Sequence, residues 1–187
     1  MGCTSYDSGE STMSEALRQL IGETQSRFRA EPESAVMDFE SDSRLQEGLR
    51  SEAALRAHRL VVDEPPALGG SDAGPNPVEL ILAALGTCQE ITYRAYATAL
   101  GIPLEGVAVK LTGTIDLKGF FAVGDGVRPG YQRITGTVKL QSSASEAELE
   151  KLRAAVNAHC PVLDIITNPV PVEIDLQLDR SPVIAAE

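Results

Sequence analysis

The stretch from Asn76 to Gly101 constrains this chain more than any other part of it. Asn76 is a helix-capping residue, Pro77 suits the first helical position because its missing N–H is unpaired there anyway, and Gly101 provides a stop. A long helix is therefore predicted from Pro77 towards Leu100. On it Leu80, Ala84, Cys88, Ile91 and Ala95 recur at steps of three and four, which places Cys88 on the stripe expected to make core contacts. From Leu80 to Leu85 the segment is apolar nearly all round, as befits a buried central helix.

Strand patterns flank this helix. Val107, Val109, Leu111, Ile115 and Leu117 alternate with Lys110, Thr112, Thr114 and Asp116. Ile134, Val138 and Leu140 repeat the pattern, as do Val172, Ile174, Leu176 and Leu178 against Glu173, Asp175, Gln177 and Asp179. Between these two runs a helix is predicted from about Ser145 to Asn157, opened by the capping pattern Ser145-Glu146-Ala147-Glu148. Ser34 to Val62 reads as a strand meander: Val36, Met37 and Phe39 in the first strand, a turn at Ser41-Asp42-Ser43, a bulge or twist at Gly48, and a last run Leu60-Val61-Val62. The Gly- and Pro-dense segment Asp63 to Pro77 is too long for a simple connector, and loops of that length usually serve a site.

Leu17, Leu20, Ile21 and Phe28 predict an appended amphipathic helix over residues 14–30, with Ser14 as its N-cap. Residues 1–13 are expected to be a disordered leader carrying Cys3 as a free thiol, and 31–187 to form the main domain. The fold class that accommodates this order is α+β, antiparallel sheet with helices packed on one face and a long central helix.

The 187 residues, 43% of them hydrophobic, suit one domain that buries roughly two-thirds of its unfolded surface. Sixteen basic against 27 acidic residues leave a net charge of -11, with no basic face for a phosphate backbone, so nucleic acid is not an expected partner. Neither is a membrane: no apolar run approaches the ~18 to 20 residues a span requires, and the start lacks the order of a secretory signal. A cytoplasmic setting follows, and there a pair of thiols is more often redox or metal chemistry than a structural bridge.

Cys88 and Cys160 stand far apart in the chain, which is no obstacle to their meeting, because closing a longer loop adds little entropy. Cys160 precedes Pro161, which predicts a short helix to about Thr167 with the sulfur at its positive end, where a thiolate is stabilised. Cys88, in mid-helix, gets no such help from its own helix, and something else must ionise it. Two rival chemistries stand beside redox work. Cys88, Cys160, His159 and a carboxylate are conceivable metal ligands, though only two histidines and no C-x-x-C pair are present, and no metal or cofactor is assigned. Cysteine-based acyl transfer needs an oriented base and an oxyanion hole that no spacing here supports.

The run Leu68-Gly69-Gly70-Ser71-Asp72-Ala73-Gly74-Pro75-Asn76-Pro77-Val78-Glu79 through Cys88, followed by Thr92-Tyr93-Arg94, Gly119-Phe120, Val127-Arg128-Pro129-Gly130 and Cys160-Pro161-Val162, resembles the OsmC/Ohr family over roughly Ser34 to Asp179. The resemblance implies an intertwined homodimer with two equivalent interfacial sites. It implies reduction of organic hydroperoxides by a peroxidatic Cys88 whose sulfenic acid is resolved by Cys160, with a dithiol or lipoyl-type reductant. Peroxidase members carry a glutamate ten residues before the helical cysteine, holding an activating arginine. Here that position is Val78, and Glu79 is the neighbouring acid, about 100° round the helix. Arg44 falls in the family's region for the arginine, with Arg56, Arg59, Arg94 and Arg128 as rivals. The departure at Val78 makes a non-catalytic dimer that binds a small apolar or thiol ligand at the interface the alternative.

Overall fold

Asn76 caps the long helix. Its side chain accepts from the Glu79 N–H at 2.9 Å, and the Glu79 carboxylate accepts from the Asn76 N–H at 2.9 Å, so two donors at the helix start are satisfied reciprocally. The helix runs Pro77–Leu100 and closes on Gly101, whose φ of 68° is the left-handed conformation that glycine adopts without a Cβ penalty.

The computed structural model describes residues 8–178, with side chains from residue 15; Cys3 and Asp179 lie outside the described residues. The element order is α1 (Ser8–Ala30), β1 (Asp42–Leu45), β2 (Ser51–Leu55), β3 (His58–Val62), α2 (Pro77–Leu100), β4 (Gly106–Ile115), α3 (Leu117–Phe120), β5 (Tyr131–Gln141), α4 (Glu146–His159) and α5 (Pro161–Thr167). β1, β2 and β3 form one antiparallel meander, and β4 and β5 a separate antiparallel ribbon. The ribbon packs on α2, as do α1, α4 and α5, whereas the meander makes no extensive contact with any helix.

The core lies between α2 and α4. Leu152 and Val156 of α4 have no exposure and cluster with Tyr93 and Ala97 of α2 and with Ile102 and Leu104 just beyond it. Each such buried aliphatic side chain contributes about 1.5–3 kcal/mol. The buried face of α2 is not the anticipated stripe: Leu85, Gln89, Tyr93 and Ala97 are buried, while Ala84 is exposed and Ile91 is 70% exposed. A helix apolar on two faces offers periodicity to either, and the choice between them rests with the elements that pack against it. Cys88 sits at the border between the two faces, half-buried.

The β4–β5 ribbon keeps the expected alternation, with Val107, Val109 and Leu111 half-buried and Lys110, Thr112 and Thr114 exposed. Leu117 leaves the strand for α3. Tyr131 lies across Gly113, where a Cβ would collide with its ring, and its hydroxyl donates to the Val78 carbonyl at 2.8 Å, pinning the ribbon to the first turn of α2.

Three local expectations differ from the structure. Val36, Met37 and Phe39 form no strand; they follow a 3-10 turn at Pro32–Ala35 and are exposed, Phe39 by 84%, while the anticipated turn at Ser41-Asp42-Ser43 is taken into β1. Val172 to Leu178 likewise has no strand partner among the described residues, and Ile174 is 88% exposed. A strand-like pattern makes a segment competent to pair, but pairing also requires an edge within reach, and among the described residues neither segment is paired to one. Third, α1 opens at Ser8 rather than Ser14, since a helix once nucleated extends through weak formers at one hydrogen bond per residue.

Asp63 ties the loop that leads into α2. It is 2% exposed, and its carboxylate accepts from the N–H groups of Glu64 (2.8 Å), Ser71 (3.0 Å) and Ala73 (3.1 Å) and from the Ser71 hydroxyl (2.6 Å). Glycine is required beside it, because a Cβ at Gly70 would run into the Glu64 carbonyl and one at Gly74 into that of Val61. The Ser71 hydroxyl first, then the backbone donors, hold the Asp63 carboxyl down at about 2. A carboxylate lowered on folding adds stability that is complete above its unfolded value, about 3.9, and is lost as pH falls towards 2. Thermal melts from pH 6 down to pH 2 should therefore drop more steeply below about pH 4 for the parent than for Asp63→Asn, which should melt several degrees lower at pH 6; superimposable profiles would contradict this role.

Candidate active site

Cys160 occupies the junction of two helices. Its N–H donates to the Val156 carbonyl at 2.9 Å as the last bond of α4, and its carbonyl accepts from the Asp164 N–H at 3.0 Å as the first bond of α5. Pro161 fixes the start of α5, as its sequence predicts. Because Val156, one turn back, is fully buried against α2, the junction is carried onto that helix, and Cys160 is 1% exposed. Its sulfur lies 3.4 Å from that of Cys88, 72 positions away, with both thiols free.

A disulfide needs about 2.05 Å between sulfurs, so a closure of roughly 1.4 Å is enough. The Val162 backbone N–H, in the first turn of α5, acts on the Cys88 thiol, as does the Thr92 hydroxyl, which donates to the Cys88 carbonyl at 2.7 Å. Burial pushes the Cys88 thiol above its ordinary value; Val162 and Thr92 draw it down, and the neighbouring Cys160 raises it further. No cation acts on it among the described residues.

The expected auxiliary residues sit elsewhere. Glu79 is engaged in the helix cap and exposed, nine residues or about 13 Å along the axis from Cys88. Arg44 is exposed in β1, opposite Glu52, on the meander that stands apart from α2. Arg56 occupies the β2–β3 turn with φ 55°, and Arg59 pairs with Glu52 at 3.6 Å. Arg94 donates to the carbonyls of Leu104 (2.5 Å) and Glu105 (3.4 Å), tying α2 to the start of β4. Arg128 is on the rim of a cleft of about 590 Å³ between Ile81, Leu85 and Gln89 of α2, the edge of β5, and Leu163 and Ile166 of α5. That cleft adjoins the thiols without including them. His159 stacks on Tyr96 at 5.1 Å with its Nδ1 2.8 Å from the Ala155 carbonyl, an arrangement that closes the end of α4. Among the described residues no group of three or more His, Cys, Asp or Glu side chains could hold a metal ion, and no helix is long and apolar enough to cross a membrane.

Sequence reasoning missed Val162 and Thr92. Thr92 is four residues beyond Cys88, one helical turn, and that spacing was the available signal; a backbone N–H leaves none.

Two thiols in contact, one on a central helix and one at a helix junction, backed by an antiparallel ribbon, define a two-cysteine α+β protein. The OsmC-like protein family model matches residues 69–175, more than half of the chain, and the protein belongs to that family. No curated protein matches the chain. Among solved structures, an OsmC-like protein from Mycoplasma pneumoniae aligns with a TM-score of 0.62 at 19% identity, covering 71% of this chain and 89% of that one. An organic hydroperoxide resistance protein OsmC from Legionella pneumophila aligns at 0.55 and 20% identity, covering 72% and 92%. An organic hydroperoxide resistance protein from Elizabethkingia anophelis aligns at 0.56 and 14%, covering 72% and 91%. At these identities the likeness shows the shared fold.

The contact geometry has a direct test. A thiol oxidant such as diamide should remove two hydrogens per chain and link the peptides of Cys88 and Cys160 while the far-ultraviolet spectrum stays native; oxidation that proceeds only in denaturant would contradict a preformed pair.

Proposed function

We propose that this protein is a thiol-dependent peroxidase that reduces organic hydroperoxides. The 3.4 Å approach of Cys88 and Cys160 carries the reading. The Cys88 thiolate attacks the distal peroxide oxygen; an S–O bond forms, the O–O bond breaks, and the alkoxide leaves and takes up a proton as the alcohol. Cys88 is then a sulfenic acid. Cys160 attacks that sulfur, the S–S bond forms, and the hydroxyl leaves with the Cys160 proton as water. A small dithiol, lipoyl-type reductants among them, returns both cysteines to thiols by exchange and is itself oxidised. Cys88 suits the first role because it is the more accessible sulfur, and Cys160 the second because it is buried behind it. The hydroperoxide resistance proteins among the structural neighbours are consistent with this assignment.

The working unit is a homodimer on this reading. Two apolar segments, Val36 to Phe39 and Val170 to Leu178, lie exposed, while β5 pairs only with β4, so its outer edge is open among the described residues. The cleft is lined by every residue from Tyr131 to Val138, so the backbone edge of β5 forms part of its wall. Exposed Ala84 and Ile91 extend the unpaired apolar surface beside Cys88. The cation that Cys88 lacks comes from the second copy, with Arg44 the leading donor; Glu79 remains a cap.

A second reading is favoured by the same missing cation: burial keeps Cys88 a neutral thiol, and the dimer only holds a small apolar or thiol ligand.

One equivalent of an alkyl hydroperoxide separates the two. A peroxidase yields the Cys88–Cys160 disulfide within the mixing time of a manual assay, whereas a binder keeps both thiols. Cys88→Ser should lower peroxide consumption on the order of a thousandfold or more, and Cys160→Ser should stop after a single turnover with Cys88 as sulfenic or over-oxidised acid. Light scattering should give twice the chain mass, and Ile174→Lys with Leu176→Lys should shift it towards the single chain; a parent protein that is monomeric at all concentrations refutes the dimer.

A further inference from the structure

Thr92 stands one turn beyond Cys88 on α2, is 7% exposed, and carries its hydroxyl on the buried side of the helix. That hydroxyl donates to the Cys88 carbonyl at 2.7 Å. The bond is redundant for the helix, since a carbonyl at position 88 already accepts the N–H of residue 92 in the regular ladder. A threonine in a helix has two accessible rotamers, one of which makes this backward bond. The donor can therefore be withdrawn without leaving the carbonyl unpaired.

We propose that Thr92 is a positioning residue for the Cys88 sulfur, its hydroxyl turning from the Cys88 carbonyl to the sulfur when the thiol ionises. The driving force is chemical: a hydrogen bond to an ionised acceptor is roughly twice as strong as one to a neutral carbonyl. Together with the Val162 N–H it supplies two neutral donors to the thiolate, fixing the direction from which a peroxide oxygen meets the sulfur. The inference rests on Cys88 being the reactive thiol. The elements packed against α2 carry Lys110 on β4, Arg153 and His159 on α4 and Asp164 on α5, and the leading charge effect on this sulfur is that of Cys160.

The test follows alkylation of Cys88 by iodoacetamide as a function of pH, read on the Cys88 peptide by mass spectrometry so that Cys160 and Cys3 do not contribute. Thr92→Val keeps the shape and removes the hydroxyl, and its profile should move about half to one pH unit upward, making alkylation roughly three- to tenfold slower near neutral pH. Thr92→Ser restores the donor and should superimpose on the parent. A Thr92→Val profile that does not move, or a Thr92→Ser profile displaced as far as that of Thr92→Val, overturns the proposal, the second because packing alone would then explain the shift. If Thr92→Val does not fold, Thr92→Ala takes its place with the same two outcomes. Alkylation needs no hydroperoxide, so a protein that shows the shift but forms no disulfide with peroxide loses the peroxidase assignment and keeps Thr92 as the donor.

Discussion

Leu152 and Val156, one turn apart and without solvent exposure, hold α4 against Tyr93 and Ala97 of α2, and the position of the thiol pair follows from that contact. Cys160 is the next turn after Val156, so the docking of two hydrophobic side chains decides where a sulfur arrives. Losing a buried leucine would cost about 2–5 kcal/mol, a large share of the 5–15 kcal/mol that separates folded from unfolded domains. The same packing that stabilises the chain thus sets the geometry of its chemistry.

Proximity and reactivity are separate matters at this site. The sulfurs are already near enough for a bridge, but burial and a neighbouring thiol both oppose ionisation of Cys88, and the Val162 N–H and the Thr92 hydroxyl, both neutral donors, offset them. Bringing a thiol from about 8.5 to about 6 would raise its thiolate fraction at neutral pH only about thirtyfold, and lower nucleophilicity takes part of that back. A peroxidase of this design therefore relies on groups that stabilise the departing alkoxide as much as on the thiolate itself. The exposed apolar segments, and the edge of β5 left unpaired among the described residues, are the surfaces that the proposed second copy would cover.

Local rules carried much of the structure. The α2 boundaries at Pro77 and Leu100, the capping box at Ser145 and Glu148, the α5 start at Pro161 and the alternation of β4 and β5 were all legible, because each depends on side chains within a few residues of the backbone groups they satisfy. The partnering of strands was not. Val172 to Leu178 carries a strand pattern as clear as that of β5, and Val36 to Phe39 a short apolar run, and nothing in either says whether an edge is within reach. The stripe of α2 failed for a related reason: Cys88 lies between two apolar faces, and the one that is buried was chosen by α4.

At the site the division is similar. From residue order alone came the identity of the two thiols, a helix for one and a helix start for the other, and a net charge of -11. The 3.4 Å between the sulfurs, the influence of the Val162 amide on Cys88 and the placement of Arg44 on a meander apart from α2 were decided only by tertiary packing. Those are relations between groups far apart in sequence, and neither propensity nor periodicity contains a term that joins them. Buried side-chain volume does, because a close-packed interior admits few ways for α4 to sit on α2.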